Sequence, residues 1–215
     1  MVINHLQKFC YIQNPKCAST FVQKGLKSIE GSKDRKYRKH ERLGKVTEDL
    51  TNYRVFGTIR EPISLYKSIY NFSLTRSHNH IWRSFKDKTL EGFCKRLANL
   101  EPSNKSEFRS YFGFPAKNLA KLDYGWATFS YIHYFSYERK FKHLDSNTMA
   151  DIFLVGPDLV KQLEAYLGMV GLFPKKPINR TKYREQDIDD RIQNLITNRD
   201  QFIYQKFNIG AANEG

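Results

Sequence analysis

A chain of 215 residues can bury one sizeable core, and 40% hydrophobic with 14% aromatic content excludes a disordered or fibrous polymer. Lys and Arg total 36 against 22 Asp and Glu, a formal charge of +14 that points to polyanionic partners: nucleic acid, acidic membrane surface, phosphorylated cofactors or anionic glycans. The three cysteines, Cys10, Cys17 and Cys94, have neither metal-ligand nor framework spacing and read as free thiols in a reducing compartment.

The opening "MVINHLQKFCYIQ" lacks a charged segment followed by a long apolar one, and nowhere do about 18 apolar residues run together. The expectation is a soluble, cytoplasmic protein with no membrane partner. "FCYIQ" (Phe9 to Gln13) reads as a buried strand, and Phe21, Val22, Gly25, Leu26 and Ile29 then recur at helical spacing. Between them lies the polar turn "NPKCAST". A strand, a polar turn with a lysine and a helix in that order build a phosphate cradle at a helix N-terminus. Yet this turn has no glycine, on which the nucleotide triphosphate loop depends.

From Lys33 to Lys45, "KDRKYRKHERLGK" holds seven basic residues and reads as a solvated or ligand-facing segment. "YRVFGTI" (Tyr53 to Ile59) is a second strand by its β-branched and aromatic content, and Pro62 opens a helix with Ile63, Tyr66, Ile69 and Tyr70 on one face. The stretch from Thr75 to Leu144 has no clean period and predicts short helices and loops. "DIFLVG" (Asp151 to Gly156) is a third strand, and Pro157 leads into a helix with Leu159, Leu163 and Leu167 as its stripe and Gly168 as its stop. "INRTKYR" is a polar loop, and Gln186 to Phe207 predicts one long amphipathic helix. Strands alternating with helices argue for an α/β fold, a parallel sheet with helices on both faces and ligands bound beyond the carboxyl ends of the strands.

The chemistry of the first turn follows from its residues. Backbone N–H groups from Cys17 to Thr20 can face an anion, Ser19 or Thr20 adds a hydroxyl donor, and Lys16 adds a mobile charge. The turn is shorter than a triphosphate loop, and no strand ends in an obvious magnesium-binding Asp, so a phosphate with one further anionic group and no metal fits best. The plainer reading is a βα turn with Ser19 or Thr20 as N-cap. At the second strand's exit, Arg60 can grip a phosphate in bidentate fashion and Ser68, two turns on, can donate to the same anion. The plainer reading there is a surface Arg paired with Glu61.

Together, "PKCAST" and the "RxPxxxxxS" pattern of "REPISLYKS" resemble the 5′-phosphosulfate and 3′-phosphate signatures of sulfotransferases that use 3′-phosphoadenosine 5′-phosphosulfate (PAPS), most closely the carbohydrate-type branch. The tail "PINRTKYREQDIDDRIQNLITNRDQFIYQKF" is similar to that branch's C-terminal loop and helix. The resemblance implies a single sulfotransferase-like domain over residues 1–215: a three-layer parallel sheet flanked by helices, like that of P-loop NTPases, with about residues 75–145 a variable acceptor-binding insertion. It implies that Lys16, Cys17, Ala18, Ser19 and Thr20 cradle the phosphosulfate, that Arg60 and Ser68 hold the 3′-phosphate, and that Arg180, Lys182 and Arg184 close over the nucleotide. One departure is Leu65, where many relatives carry a second Arg.

Sulfonyl transfer requires a base for the acceptor hydroxyl or amine and positive charge at the leaving oxygen. Lys16 supplies the charge. The base candidate is His40 in "RKHER", like the "KH" histidine of the relatives it resembles, with Glu41 as the alternative base. Cys17 at a helix N-terminus could be a low-pKa thiol, but without a paired base it reads as structural. The implied cofactor is PAPS with no metal, and the partner is a small-molecule or glycan acceptor rather than nucleic acid. Two other classes compete: a P-loop-type kinase, which would require magnesium and ATP or GTP, and a basic nucleic-acid-binding module using Lys33 to Lys45 with stacked aromatics. No RRM or zinc-finger signature supports the latter.

Overall fold

The computed structural model of the chain describes residues 1–33, 39–75, 87–99, 124–136, 150–174 and 187–210. The chain forms two compact units, Met1–Arg60 with Ser130–Arg180, and Glu61–Phe129 with Thr181–Gly215.

The first unit is built on a five-stranded sheet. Its strands are β1 (Val2–Asn4), β2 (Phe9–Ile12), β3 (Ser32–Lys33), β4 (Arg54–Ile59) and β5 (Asp151–Leu154), in the order β3-β1-β2-β4-β5. β2, β4 and β5 are the three strands read from the sequence, and they pair in parallel, Tyr11 opposite Phe56 and Gly57 opposite Ile152. The expected all-parallel sheet is corrected at one edge: β1 pairs antiparallel with both β2 and β3. Strands of three and two residues carry too little periodicity to announce themselves, and β1 is placed by its tight return through Lys8, which takes φ 52°.

β2 and β4 are buried on both faces, whereas the edge strand β5 is only half-buried. On one face Phe9, Tyr11 and Phe56 pack with Val22 and Leu26 of α1 (Ser19–Leu26) and with Leu159, Leu163 and Leu167 of a later helix, Leu159–Leu167. The i, i+4, i+8 stripe of that helix is therefore its buried face, and Gly168 ends it in the left-handed conformation as expected, at φ 70°. On the opposite face of β4, a Cβ at Gly57 would collide with the Phe135 ring. Glycine in a central strand costs intrinsic strand preference, and here the close approach of an aromatic ring requires it.

The second unit is helical. It holds α2 (Pro62–Leu74), α3 (Leu90–Asn99) and the first residues of α4 (Trp126–Phe135). With Leu159–Leu167 as α5, the chain ends in α6 (Asp190–Arg199) and α7 (Gln201–Lys206). Glu61 is the N-cap of α2, its carboxylate accepting from the N–H groups of Ile63 and Ser64 at 2.8 and 2.6 Å, and Pro62 takes the first helical position. Glu61 also accepts from the Tyr204 hydroxyl, so it is committed to the helix start. Tyr70 meets Phe93 edge to face at 5.5 Å, joining α2 to α3.

The long C-terminal helix read from the sequence is interrupted. Asp200 leaves helical geometry at φ −108°, and its fully buried carboxylate accepts from Tyr66 Oη at 2.7 Å and from the Thr128 N–H at 2.7 Å. Trp126 N–H in turn donates to Tyr66 Oη at 2.8 Å. The carboxylate thus caps the first turn of α4 from another element, which satisfies amides that α4 cannot bond itself. Gly125 makes room for it, since a Cβ there would strike the carboxylate. A local helical pattern cannot report this demand.

Burial pushes Asp200 up to about 6, against hydrogen bonds from Thr128 and Tyr66 that favour the charged form. The folded state therefore holds the proton more tightly than the unfolded chain, and the stability this contributes is present below about pH 4 and lost as pH rises through about 6. Asp200→Asn should lower stability overall but flatten this slope. The expected difference between the two stability curves changes by on the order of 2 kcal/mol between pH 4 and pH 7 in urea titrations; parallel curves would contradict the assignment.

Candidate functional site

The turn "NPKCAST" leaves the carboxyl end of β2 and enters α1. Cys17 is its anchor, a fully buried residue. Its N–H donates to the Asn14 carbonyl at 3.4 Å, and its own carbonyl accepts from Thr58 Oγ1 of β4 at 2.5 Å. Because a carbonyl can only accept, the Thr58 proton goes to Cys17, and Tyr11 Oη donates to Thr58 Oγ1 at 3.0 Å. Burial pushes the Cys17 thiol up to about 12, against the lowering influence of Arg60 and Lys16. It is a structural plug and not a thiolate nucleophile.

On either side of this plug the backbone is left-handed, Lys16 at φ 64° and Ala18 at φ 57°. Such a conformation costs a non-glycine residue about 1–2 kcal/mol, and glycine would adopt it without strain. The glycines of phosphate loops serve this same backbone need; here Lys and Ala are forced into it by the buried residue between them. Ala18, not Ser19 or Thr20, is the N-cap of α1, and it provides no side-chain hydrogen bond. The amides at the start of α1 accordingly receive no cap from that residue.

Several cations gather at the turn within this unit. Arg60 at the exit of β4 is near enough for its charge and its backbone N–H to oppose the upward push of burial on the Cys17 thiol. Lys39 Nζ donates to Thr20 Oγ1 at 2.9 Å. His40 donates through Nδ1 to the carbonyl of Gln13, the residue before the turn, at 2.9 Å. With the proton on Nδ1, the Nε2 lone pair is the basic position. Desolvation where the ring meets Gln13 and its neighbours is the main cause that lowers the His40 pKa, reinforced by Lys39 and the Met1 amino group and opposed by the Gln13 bond, although the residue as a whole is exposed to solvent.

Two further donors sit at the head of the turn. Gln13 and Asn14 are fully buried, and among the described residues their side-chain nitrogens, Nε2 and Nδ2, have no hydrogen-bond partner. The Gln13 Oε1 accepts from the Met1 amino nitrogen at 2.8 Å, and Asn14 Oδ1 accepts from Ser130 Oγ at 2.9 Å. An unmet buried donor costs about 1–3 kcal/mol, so the approach to the turn carries a standing demand for acceptor oxygen.

Of the residues expected at the site, Lys16, Cys17, Ala18, Ser19, Thr20, Arg60 and His40 belong to this unit, and the bonds above link the turn to Lys39 and, through Gln13, to His40. Glu41 follows His40 and is half-buried. Ser68 belongs to the second unit, where it is buried on α2, and Leu65 is likewise buried on that helix. Arg180, Lys182 and Arg184 lie outside the described residues. His133 is a packing residue, held down to about 3 by burial and by Arg42. Lys39, Thr58, Gln13 and Asn14 were not singled out by sequence. Lys39 was legible in principle as the neighbour of His40, whereas Thr58 looks like any strand threonine until the turn is laid beside it.

The fold establishes an α/β protein with a mixed sheet and this cation-rich turn at the end of a central strand. No protein-family model, curated protein or solved structure matches the chain. Among the described residues no helix is long and apolar enough to cross a membrane.

The left-handed turn has a direct test in Ala18→Gly and Ala18→Val. Glycine should be neutral or raise stability by up to about 1 kcal/mol, and valine should lower it by more than about 2 kcal/mol, because a β-branched residue tolerates positive φ least. Equal effects of the two in denaturant unfolding would rule out the left-handed geometry.

Proposed function

We propose that the chain is a PAPS-dependent sulfotransferase that moves a sulfonate group to a hydroxyl or amine of an acceptor, a saccharide being one class to test. The observation that carries this reading is the turn Asn14–Thr20: two left-handed residues around a buried Cys17, opening into α1, with Lys16, Arg60 and Lys39 drawn to it. Those residues fit a phosphosulfate group. Helix-start amides and a lysine suit oxygens that share a small anionic head, and Arg60 at the strand exit suits a second phosphate.

When bound, PAPS supplies the activated sulfonate. The chain's own residues supply charge and proton handling. Lys16 would neutralise negative charge growing on the leaving oxygen, and the turn's amides would hold the head group in one orientation. His40, kept neutral by burial and by neighbouring positive charge, would take the acceptor's proton at Nε2 while Nδ1 stays bonded to Gln13 O.

Calorimetric titration with 3′-phosphoadenosine 5′-phosphate, with ATP and with a DNA oligonucleotide, each with and without magnesium, tests the reading. Metal-independent binding of the bisphosphate, weakened about tenfold to a hundredfold in Lys16→Ala and in Arg60→Ala, is the expected result. Binding of ATP with magnesium and not of the bisphosphate would replace it with a kinase-type function, and preference for DNA with a nucleic-acid-binding one.

The base has its own test in turnover against a panel of saccharide acceptors. His40→Asn should reduce turnover by about 100-fold to 10,000-fold with little change in bisphosphate affinity. In the wild type, activity should fall as pH drops through the depressed pKa of His40, because protonation removes the lone pair. Unimpaired turnover in His40→Asn would remove His40 as the base.

A further inference from the structure

Lys39 joins the turn to His40, and the reaction outlined above gives it no defined task. Its ammonium donates to Thr20 Oγ1 at 2.9 Å, and its carbonyl accepts from the Met1 amino nitrogen at 2.7 Å. A hydroxyl whose lone pair is taken by an ammonium keeps its own proton to give in another direction. Thr20 lies in the first turn of α1, beside the helix-start amides and the left-handed Ala18. Lys39 therefore turns Thr20 from an ambivalent hydroxyl into a donor, at the end of the helix where an anion is favoured.

The next residue in the chain is His40, fixed through Nδ1 to the carbonyl of Gln13. Gln13 and Asn14, whose buried side-chain nitrogens have no partner among the described residues, form the head of the same turn. An oxygen-rich ligand is thus called for at both ends of a short stretch, and Lys39 is bonded to the turn through Thr20 and immediately precedes His40 in the chain. Resting on the reading of this turn as the phosphosulfate cradle, we propose that Lys39 is a second anion-binding ammonium of the site, that it orients the Thr20 hydroxyl toward the anion, and that it links anion binding to the protonation of His40.

The sign of the linkage follows from the charges around the ring. The groups acting on His40 are the Gln13 carbonyl, Lys39 and the Met1 amino group, and Glu41 follows it in the chain. An anion bound at Lys39 adds negative charge near a ring whose charged neighbours Lys39 and Met1 are both positive, which makes protonation easier. By reciprocity a protonated His40 strengthens anion binding, so affinity should rise as pH falls. In the catalytic cycle this would retain the product bisphosphate while His40 still carries the acceptor's proton, and loosen it once that proton leaves.

The experiment uses the full chain with two probes, inorganic sulfate and 3′-phosphoadenosine 5′-phosphate, in calorimetry at pH 6 and pH 8. Sulfate does not titrate in this range, so proton uptake measured with it in two buffers of different ionisation heat belongs to the protein. The wild type should bind sulfate severalfold more tightly at pH 6 and take up protons. Lys39→Ala should weaken both probes about tenfold, and Lys39→Arg should recover most of the loss. The His40 ring resonances should titrate at a higher midpoint in Lys39→Ala than in the wild type without ligand, and sulfate should raise the wild-type midpoint.

The outcomes separate the two ideas. If Lys39→Ala binds both probes like the wild type while Lys16→Ala does not, the role of Lys39 is overturned and the cofactor reading stands. If the bisphosphate fails to bind but sulfate binds in a Lys39-dependent, proton-linked manner, the cofactor reading falls and the Lys39 site stands. If the wild type binds neither probe, both are overturned.

Discussion

The hydrogen bond from Thr58 Oγ1 to the Cys17 carbonyl is the constraint on which the candidate site depends. It ties the turn after one central strand to the carboxyl end of the neighbouring one, and Tyr11 Oη completes the chain of donors beneath it. With its carbonyl, amide and thiol all taken inward, Cys17 cannot move without leaving buried polar groups unmet, at about 1–3 kcal/mol each. Its neighbours absorb the geometry. Lys16 and Ala18 become left-handed because the residue between them is committed to the core. The parallel register of β2 and β4 sets Tyr11 opposite Phe56, and Thr58, two residues on, faces the same side of the sheet.

The buried Cys17 thus explains how this turn takes left-handed backbone without glycine. Glycine is used where the backbone must be left-handed at no steric cost, but a well-packed neighbour can impose the same conformation on other residues at about 1–2 kcal/mol each. In exchange, a side chain with a charge, Lys16, stands inside the turn. The second cation, Lys39, arrives from a segment whose basic character had suggested only a solvated or ligand-facing surface, and the two lie on either side of Thr20 in the chain. Positive charge is thus concentrated at the carboxyl end of a parallel strand, where backbone amides also converge.

Elsewhere the chain uses the opposite device, a buried carboxylate, for a structural end. Asp200 accepts from Tyr66 and from the start of α4, and the helix that contains it breaks to let it do so. Glu61 does related work at the start of α2. Both acids were legible as residues but not as caps, since a cap supplied from a distant element leaves no local pattern. Glu61 did have a local clue, the Pro62 that follows it, and the helix start at that point was read correctly. Lys39 and Thr58 acquire meaning only from partners 19 and 41 residues away in the chain.

What the sequence alone determined is whatever depends on neighbours within a few positions. The three parallel strands, the helices opened by Pro62 and closed by Gly168, and the polar turn between β2 and α1 were all legible, because a strand buried on both faces leaves a short apolar run and a helix buried on one face a period of about 3.6. Tertiary structure decided the rest: the antiparallel edge made by β1 and β3, the break at Asp200, the left-handed backbone of Lys16 and Ala18, and the attachment of His40 to Gln13. Apart from the short β1–β2 return, each of these is set by a hydrogen bond or a packed ring between residues far apart in the chain. Such pairings cost loop-closure entropy and are repaid only when the partners meet, so no local run of residues encodes them.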